Sequence, residues 1–418
     1  MKILWFSNTG GSASDYLKIP NTSGGWIISL ENTIKEKIDL HIAFYYAKYS
    51  EPFKYKGVNY YPICNKGWKW RMFKNLLIEQ IIDTEDYFRY LDIINKVNPD
   101  LIHIHGTENP FGCLVGKTTV PIVISIQGNI TLIHHKFFAG IERNKLLRPY
   151  FRLHSLKDFP FFISLKRTYE KFAMMSDREI RNLQNCNFVI GRTDWDKRIT
   201  RILAPQSKYY YGSEILREGF HQQRWTPNFG EKLIIHSTNG NSPIKGFETI
   251  CLTLDLLKRI GFNIEWRVAG IKDSDHIVKV VKRTLQDRYP KESLVLLGYI
   301  DGRSLLKNLL NANIYAMTSH IENSPNSLCE AMSLGMPCIA SFSGGASSLM
   351  TDGVEGILIQ DGDPWALAGA ILELNSDRNK AIVYGERARM RAIKRHDKNV
   401  VTDQYMDIYK DIIESLPK

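Results

Sequence analysis

Two glutamates eight positions apart, Glu322 and Glu330, flank a stretch suited to holding an anion. The stretch runs from Ala316 to Pro337 and reads as a strand end, a loop and a helix. Ser324, Asn326 and Ser327 are small oxygen-bearing capping residues, and Pro325 is an early helix proline. Gly335 stops the helix and Pro337 opens the next strand. The N–H groups at the start of such a helix have no partner within it and attract a diphosphate. Carboxylates repel phosphate, so Glu322 and Glu330 are suited instead to the hydroxyls of sugars on either side of it. A second strand, loop and helix runs from Ile234 to Phe247. Its Lys245 stands just before the helix, where an ammonium can neutralise a diphosphate held by backbone N–H groups.

These loops need strands to position them. Apolar, β-rich runs over 2–6, 40–45, 101–105, 122–126 and 188–190 predict strands in the first half. Runs over 233–237, 264–269, 293–297, 314–317, 338–340 and 356–359 predict them in the second. Helical patterns lie between, for example over 246–259, 277–288 and 365–373. Such alternation predicts parallel sheets covered on both faces, with ligands beyond the carboxyl ends of the strands. Two blocks emerge, an N-terminal domain over 1–224 and a C-terminal domain over 225–399. Residues 400–418 carry a final amphipathic helix pattern. Residues 132–185 carry no clear strand.

The 418 residues, 44% hydrophobic and 24% charged, fit an ordinary globular chain of two or three domains. No run is long and apolar enough to span a bilayer, and the apolar start is too short for a signal peptide. Six scattered cysteines with no C-x-x-C pair read as reduced thiols, which predicts a cytoplasmic compartment. No G-x-G-x-x-G, G-x-x-x-x-G-K-[ST] or G-x-S-x-G occurs, which removes the simplest dehydrogenase, ATPase and hydrolase readings.

The Glu322–Glu330 passage resembles the E-x7-E motif of the retaining glycosyltransferases of family 4, which have the GT-B fold. The likeness extends to Pro337-Cys338-Ile339-Ala340-Ser341-Phe342-Ser343-Gly344-Gly345, similar to the family's P-V-I-A-S-x-x-G-G. Lys245-Gly246 matches the Lys of the family's "G-R…K-G" element, but Asn239 stands where the Arg usually does. The resemblance implies an α/β GT-B architecture, two doubly wound Rossmann-like domains facing a central cleft, with the helix over 400–418 packing back on the first domain. It implies sugar transfer from a nucleoside-diphosphate sugar with retention at the anomeric carbon. Glu322 would hold the donor sugar, and Lys245 would stabilise the leaving diphosphate. Glu330 would hold the ribose. Ser324, Asn326, Ser327, Leu328, Asn239, Gly240 and Gly25 would complete the donor site. In the first domain Gly24 looks like part of the family's glycine loop. His105 ends a strand resembling D-x-x-H-x-H, and Gln127 replaces the usual His of a His-Gly strand end. These three would contact the acceptor. His103 reads as a packed core residue. A neutral amide cannot shuttle a proton at pH 7, so Gln127 is restricted to binding. No cofactor is expected.

Asp194-x-Asp196, Asp273-x-Asp275 and Asp361-x-Asp363 each satisfy a D-x-D metal pattern, yet helix capping accounts for them and no metal is expected. The net charge is +11, and residues 136–224 hold eighteen Lys/Arg against nine Asp/Glu. Aromatics alternate with cations over 67–74, 134–138 and 150–162. This pattern suits an anionic membrane surface and a lipid-linked or glycan acceptor, with ordinary core aromatics as the plain reading. Two rivals remain. One is a nucleotide-sugar epimerase of the same fold. The other is a basic nucleic-acid-binding protein, although no nucleic-acid partner is expected. Bacterial surface polysaccharide synthesis, on the inner face of the membrane, is the expected setting.

Overall fold

The computed structural model describes residues 1–19, 25–64, 87–144 and 159–415, the side chains of 159–165 excepted. Gly24 and the aromatic and basic runs over 67–74 and 150–158 lie outside the described residues. The chain divides into two compact units. The first comprises Met1–Thr131, Phe172–Leu216 and Arg395–Lys418, and the second Leu132–Lys171 and Arg217–Lys394. The division thus falls at Leu216 and Arg217 rather than after residue 224. The 132–171 segment belongs to the second unit because Ile141 is buried in that unit's core, with Phe138 packed against it.

In the first unit the strands are β1 (Lys2–Ser7), β2 (Asp39–Tyr46), β3 (Phe53–Tyr55), β4 (Val58–Cys64), β5 (Leu101–His105), β6 (Ile122–Ser125), β7 (Phe188–Gly191) and β8 (Lys208–Tyr211). Their order is β3-β4-β2-β1-β5-β6-β7-β8. Every pairing is parallel except β3 with β4. Strands covered on both faces must be apolar throughout, and Ile3, Leu4, Trp5 and Phe6 are wholly buried. The sequence reading places no strand at β3, β4 or β8. The β3–β4 hairpin turns on Lys56 and Gly57, both at positive φ (47° and 86°). Lysine is not a usual residue for that conformation, so the turn carries no local signal. The closing helix, Lys398–Glu414, buries Val401, Tyr405, Ile408, Tyr409 and Ile412. This stripe packs into the first unit's core, beside helix Gly25–Ile34. Tyr409 Oη accepts from Trp5 Nε1 at 3.0 Å and bonds His103 Nδ1 at 2.6 Å.

The second unit holds β9 (Leu233–Thr238), β10 (Ile264–Ala269), β11 (Leu294–Gly298), β12 (Ile314–Met317), β13 (Cys338–Ser341) and β14 (Ile357–Ile359). Their order is β11-β10-β9-β12-β13-β14, with all pairings parallel. Each strand lies within two residues of its predicted bounds. Helix Phe247–Arg259 lays Phe247, Ile250, Leu254 and Leu257 on the core around Ile235, Trp266, Ile314 and Ile339. Burying such a side chain contributes about 1.5–3 kcal/mol. In both sheets the first strand sits where the order reverses, β1 between β2 and β5 and β9 between β10 and β12. Ligands of doubly wound sheets bind beyond the carboxyl ends of the strands at such a reversal.

Among the described residues no helix is long and apolar enough to cross a membrane. All six cysteines are unpaired thiols.

Candidate active site

The loops leaving β9 and β12, the two strands at the reversal of the second sheet, carry the residues picked out in the sequence. The β9 loop ends at Gly246, which sits at φ 67° directly against the Thr318 carbonyl oxygen. A Cβ there would overlap that oxygen, so Lys245 must be followed by glycine. Three bonds tie this loop. His320 N donates to Ile244 O at 2.8 Å, and Thr318 Oγ1 donates to Lys245 O at 3.2 Å. Asn239 Nδ2 donates to the same Lys245 carbonyl at 2.9 Å, while its Oδ1 accepts from Gly240 N at 2.8 Å. The residue standing in place of the family's arginine therefore braces the lysine loop and brings no charge. Gly240 belongs to that brace.

Glu322 accepts from Lys245 Nζ and, at 2.9 Å, from Ser319 Oγ. Its carbonyl accepts from Gly345 N at 2.8 Å. Gly344, at φ 54°, lies so close beneath that carbonyl that any Cβ would collide with it. The Gly344-Gly345 pair thus seats the backbone of Glu322. Helix Asn326–Leu334 starts behind Pro325, which leaves its first N–H groups without intrahelical acceptors. Asn326 and Ser327 stand at that opening and Ser324 just ahead of it. Leu328, expected from the sequence at the donor site, turns its side chain inward. Its side chain is fully buried and its N–H is bonded to Pro325 O at 3.0 Å.

Glu330, one turn further in, is buried and accepts a forked pair from Arg217, Nε to Oε1 at 2.7 Å and Nη2 to Oε2 at 2.6 Å. Burial pushes the Glu330 carboxyl above the usual carboxylate range, and Arg217 opposes that shift. The pair fixes the rotamer of Glu330 and leaves lone pairs on both oxygens for a hydroxyl donor. Nothing in the sequence separates Arg217 from the other 54 Lys and Arg residues.

His320 was also missed. Its side chain is 1% exposed, with Nε2 2.6 Å from Glu248 Oε1 and Nδ1 2.6 Å from Asp361 Oδ1. Burial alone would lower its pKa, but the two carboxylates override it and hold it at about 9. Asp361 is thus not a helix cap. The capping reading holds for Asp363, which accepts from Trp365 N and Ala366 N, and for Asp196, which closes a capping box with Thr193. Asp275 occupies an N-cap position but accepts from Lys272 N at 2.9 Å.

In the first unit the expected acceptor residues have different settings. His105, expected to face a ligand from the strand tip, is wholly buried. Its ring lies 4.5 Å from that of Trp5 and 3.7 Å from that of His103. Neither of its nitrogens has a hydrogen-bond partner among the described residues, and burial lowers its pKa well below the usual histidine value. His103 is the core residue the sequence implies, bonded to Tyr409 Oη and to Ser125 Oγ, each at 2.6 Å. Gln127 lies half-buried just beyond β6, and Gly25 opens helix Gly25–Ile34. Glu179 accepts from Thr107 Oγ1, Ile130 N, Thr131 N and Thr131 Oγ1.

Two doubly wound parallel-sheet units are those of the GT-B fold, and the comparisons place the chain among glycosyltransferases. Residues 220–391 match the family described as glycosyl transferases group 1. The chain is 21% identical over 372 residues to the capsular polysaccharide biosynthesis glycosyltransferase CapM of Staphylococcus aureus, covering 86% of this chain and 91% of that one. It is 24% identical over 335 residues to the N-acetyl-alpha-D-glucosaminyl L-malate synthase of Bacillus anthracis, covering 77% of each. Its fold matches Anabaena HepE, solved in complex with UDP and glucose, with a TM-score of 0.64 at 14% identity over the whole of both chains. The chain is a glycosyltransferase of the GT-B fold, similar over residues 220–391 to the glycosyl transferases of group 1.

Proposed function

We propose that this glycosyltransferase takes a sugar from a nucleoside-diphosphate donor, with retention at the anomeric carbon, and passes it to a glycan or lipid-linked acceptor in surface polysaccharide synthesis. The observation that carries the donor reading is the convergence of Lys245, Glu322 and the Asn326–Leu334 helix N-terminus on one sheet reversal, with Arg217-braced Glu330 behind them. In this reading Glu322 holds sugar hydroxyls and Glu330 the ribose. As the bond from the anomeric carbon to the diphosphate breaks, the oxygen that leaves gains charge. Lys245 and the helix N–H groups stabilise it in place, so no metal is required. Asn239, Gly240, Ser324, Asn326 and Ser327 line the donor side. Gly25 belongs with the donor residues, and Gln127 and Gly24 belong to the acceptor side.

The relatives support the setting. One is named for capsular polysaccharide biosynthesis and another as an N-acetyl-alpha-D-glucosaminyl L-malate synthase. The basic excess over residues 136–224 favours an acceptor at an anionic membrane surface. The test is thermal stabilisation by a panel of UDP-glucose, UDP-galactose, UDP-N-acetylglucosamine, GDP-mannose and ADP-glucose. A cognate donor at 100 times its Kd should stabilise the protein by about 2.7 kcal/mol. No stabilisation by any of them would remove the donor reading.

A further inference from the structure

We propose that His320 is a positioning residue for Glu322: it ties the loop carrying Glu322 to two other elements and so sets where that carboxylate meets the donor sugar. The proposal rests on the donor reading above. His320 lies two residues before Glu322 in the loop that leaves β12. Its two ring nitrogens are each 2.6 Å from a carboxylate oxygen, one from Glu248 in the first turn of helix Phe247–Arg259 and one from Asp361 beyond β14. Ionised carboxylate oxygens only accept, so both ring nitrogens must donate, and only the imidazolium does that. The loop is therefore pinned by a buried cation shared between two anions, as well as by the His320 N–H on Ile244 O.

The charges around the ring come from each element packed on it. Glu248 also accepts from Thr249 Oγ1 at 3.1 Å. Asp361 also faces Lys136 Nζ at 3.8 Å, just after helix Ile130–His135. Gly140 and Gly362 approach the ring without charge. Glu322 and Lys245, paired with each other, stand on the loops the ring holds together. Removing the proton leaves one carboxylate facing a lone pair inside the core, a repulsive contact that the loop can relieve only by moving. Glu322 moves with it. The pKa near 9 agrees with the geometry and sets the alkaline side as the place to look.

Asp361→Asn supplies the test, because an amide oxygen can still accept from Nδ1–H while the charge is gone. Two readouts are taken across pH 6–10. One is the ring-proton NMR titration of His320. The other is the ratio of affinities for UDP-glucose and UDP, or the equivalent pair from the panel, by calorimetry. That ratio isolates the sugar contact. In the wild type the ratio should fall with the midpoint at which His320 titrates. In Asp361→Asn both midpoints should shift down together by at least about 1 unit. His320→Asn should abolish the pH dependence and lower the ratio about tenfold, with UDP affinity retained. A His320 midpoint that moves while the affinity ratio keeps its wild-type profile overturns the proposal and leaves the donor site standing. Wild-type protein that binds no nucleotide of the panel overturns the donor reading and the proposal with it.

Discussion

β5 in the first unit and β12 in the second hold the same place in their sheets, next to the first strand and across the reversal. Each delivers a histidine at its carboxyl end, and both histidines are buried. Their chemistry is opposite. His105 has aromatic neighbours and no hydrogen-bond partner among the described residues, so burial keeps it neutral. His320 is flanked by the buried Glu248 and the partly exposed Asp361 and stays charged up to about pH 9. Burial therefore does not decide the state of a ring; what accompanies it does. The second unit has turned this position into a pinned ionic joint beside Lys245 and Glu322, whereas the first has turned it into packing. The two histidines also respond to pH in opposite senses. A raised pKa makes the His320 contribution complete below about pH 6.5 and lost as pH rises through about 9. A lowered pKa makes His105 a liability as pH falls below 6.5, because the unfolded chain takes up a proton that the folded one refuses.

Substitution at either strand end can break this contrast. The largest effect is expected at Glu322. Glu322→Gln keeps the size and the Ser319 bond but removes the charge that faces Lys245 and that the proposed function places on the donor sugar. The transfer rate should fall roughly 10²–10³-fold with the melting temperature little changed. A rate within a factor of three of wild type would mean that the E-x7-E carboxylate is a solvated side chain. A smaller effect is expected at His105. His105→Phe keeps the ring contacts with Trp5 and His103 and removes two unpaired nitrogens. It should stabilise the protein relative to wild type by about 2 kcal/mol at pH 5 and far less at pH 8, read from thermal melts. Equal changes at the two pH values would show that His105 titrates normally. Loss of transfer with donor affinity intact would return His105 to the acceptor side.

The sequence exposed those parts of the site whose signals are local. The strands of the second sheet announce themselves by continuous apolar runs. The helix start behind Pro325, the glycine after Lys245 and the pair at Gly344-Gly345 are each tied to a backbone position, and such residues can be read one by one, although no side chain caps that helix. What stayed hidden depends on distance. Arg217 meets Glu330 across 113 positions, and His320 meets Glu248 and Asp361 across 72 and 41. Asp361 sits beside a true capping residue, Asp363, and looks like one. Leu328 follows two partly exposed helix-start residues, Asn326 and Ser327, and only its packing shows that it turns inward. The β3–β4 hairpin was missed because a lysine occupies a conformation usually left to glycine or asparagine. Asn239 is informative in the other direction: its identity announced a missing charge, but only its two hydrogen bonds reveal what it does instead.

The central claim is that the second unit binds the donor through its nucleoside, with Glu330 on the ribose. Calorimetric titration of the nucleoside diphosphate selected by the panel, into wild type and Glu330→Gln, tests this most directly. The ribose is present with or without the sugar, so the free diphosphate suffices. The account predicts an affinity lower by roughly 1–3 kcal/mol in the variant, because a charge-assisted bond becomes a neutral one and Arg217 loses its anion. An unchanged Kd in a variant with wild-type circular dichroism would contradict it, and would leave Glu330 as no more than the buried partner of Arg217.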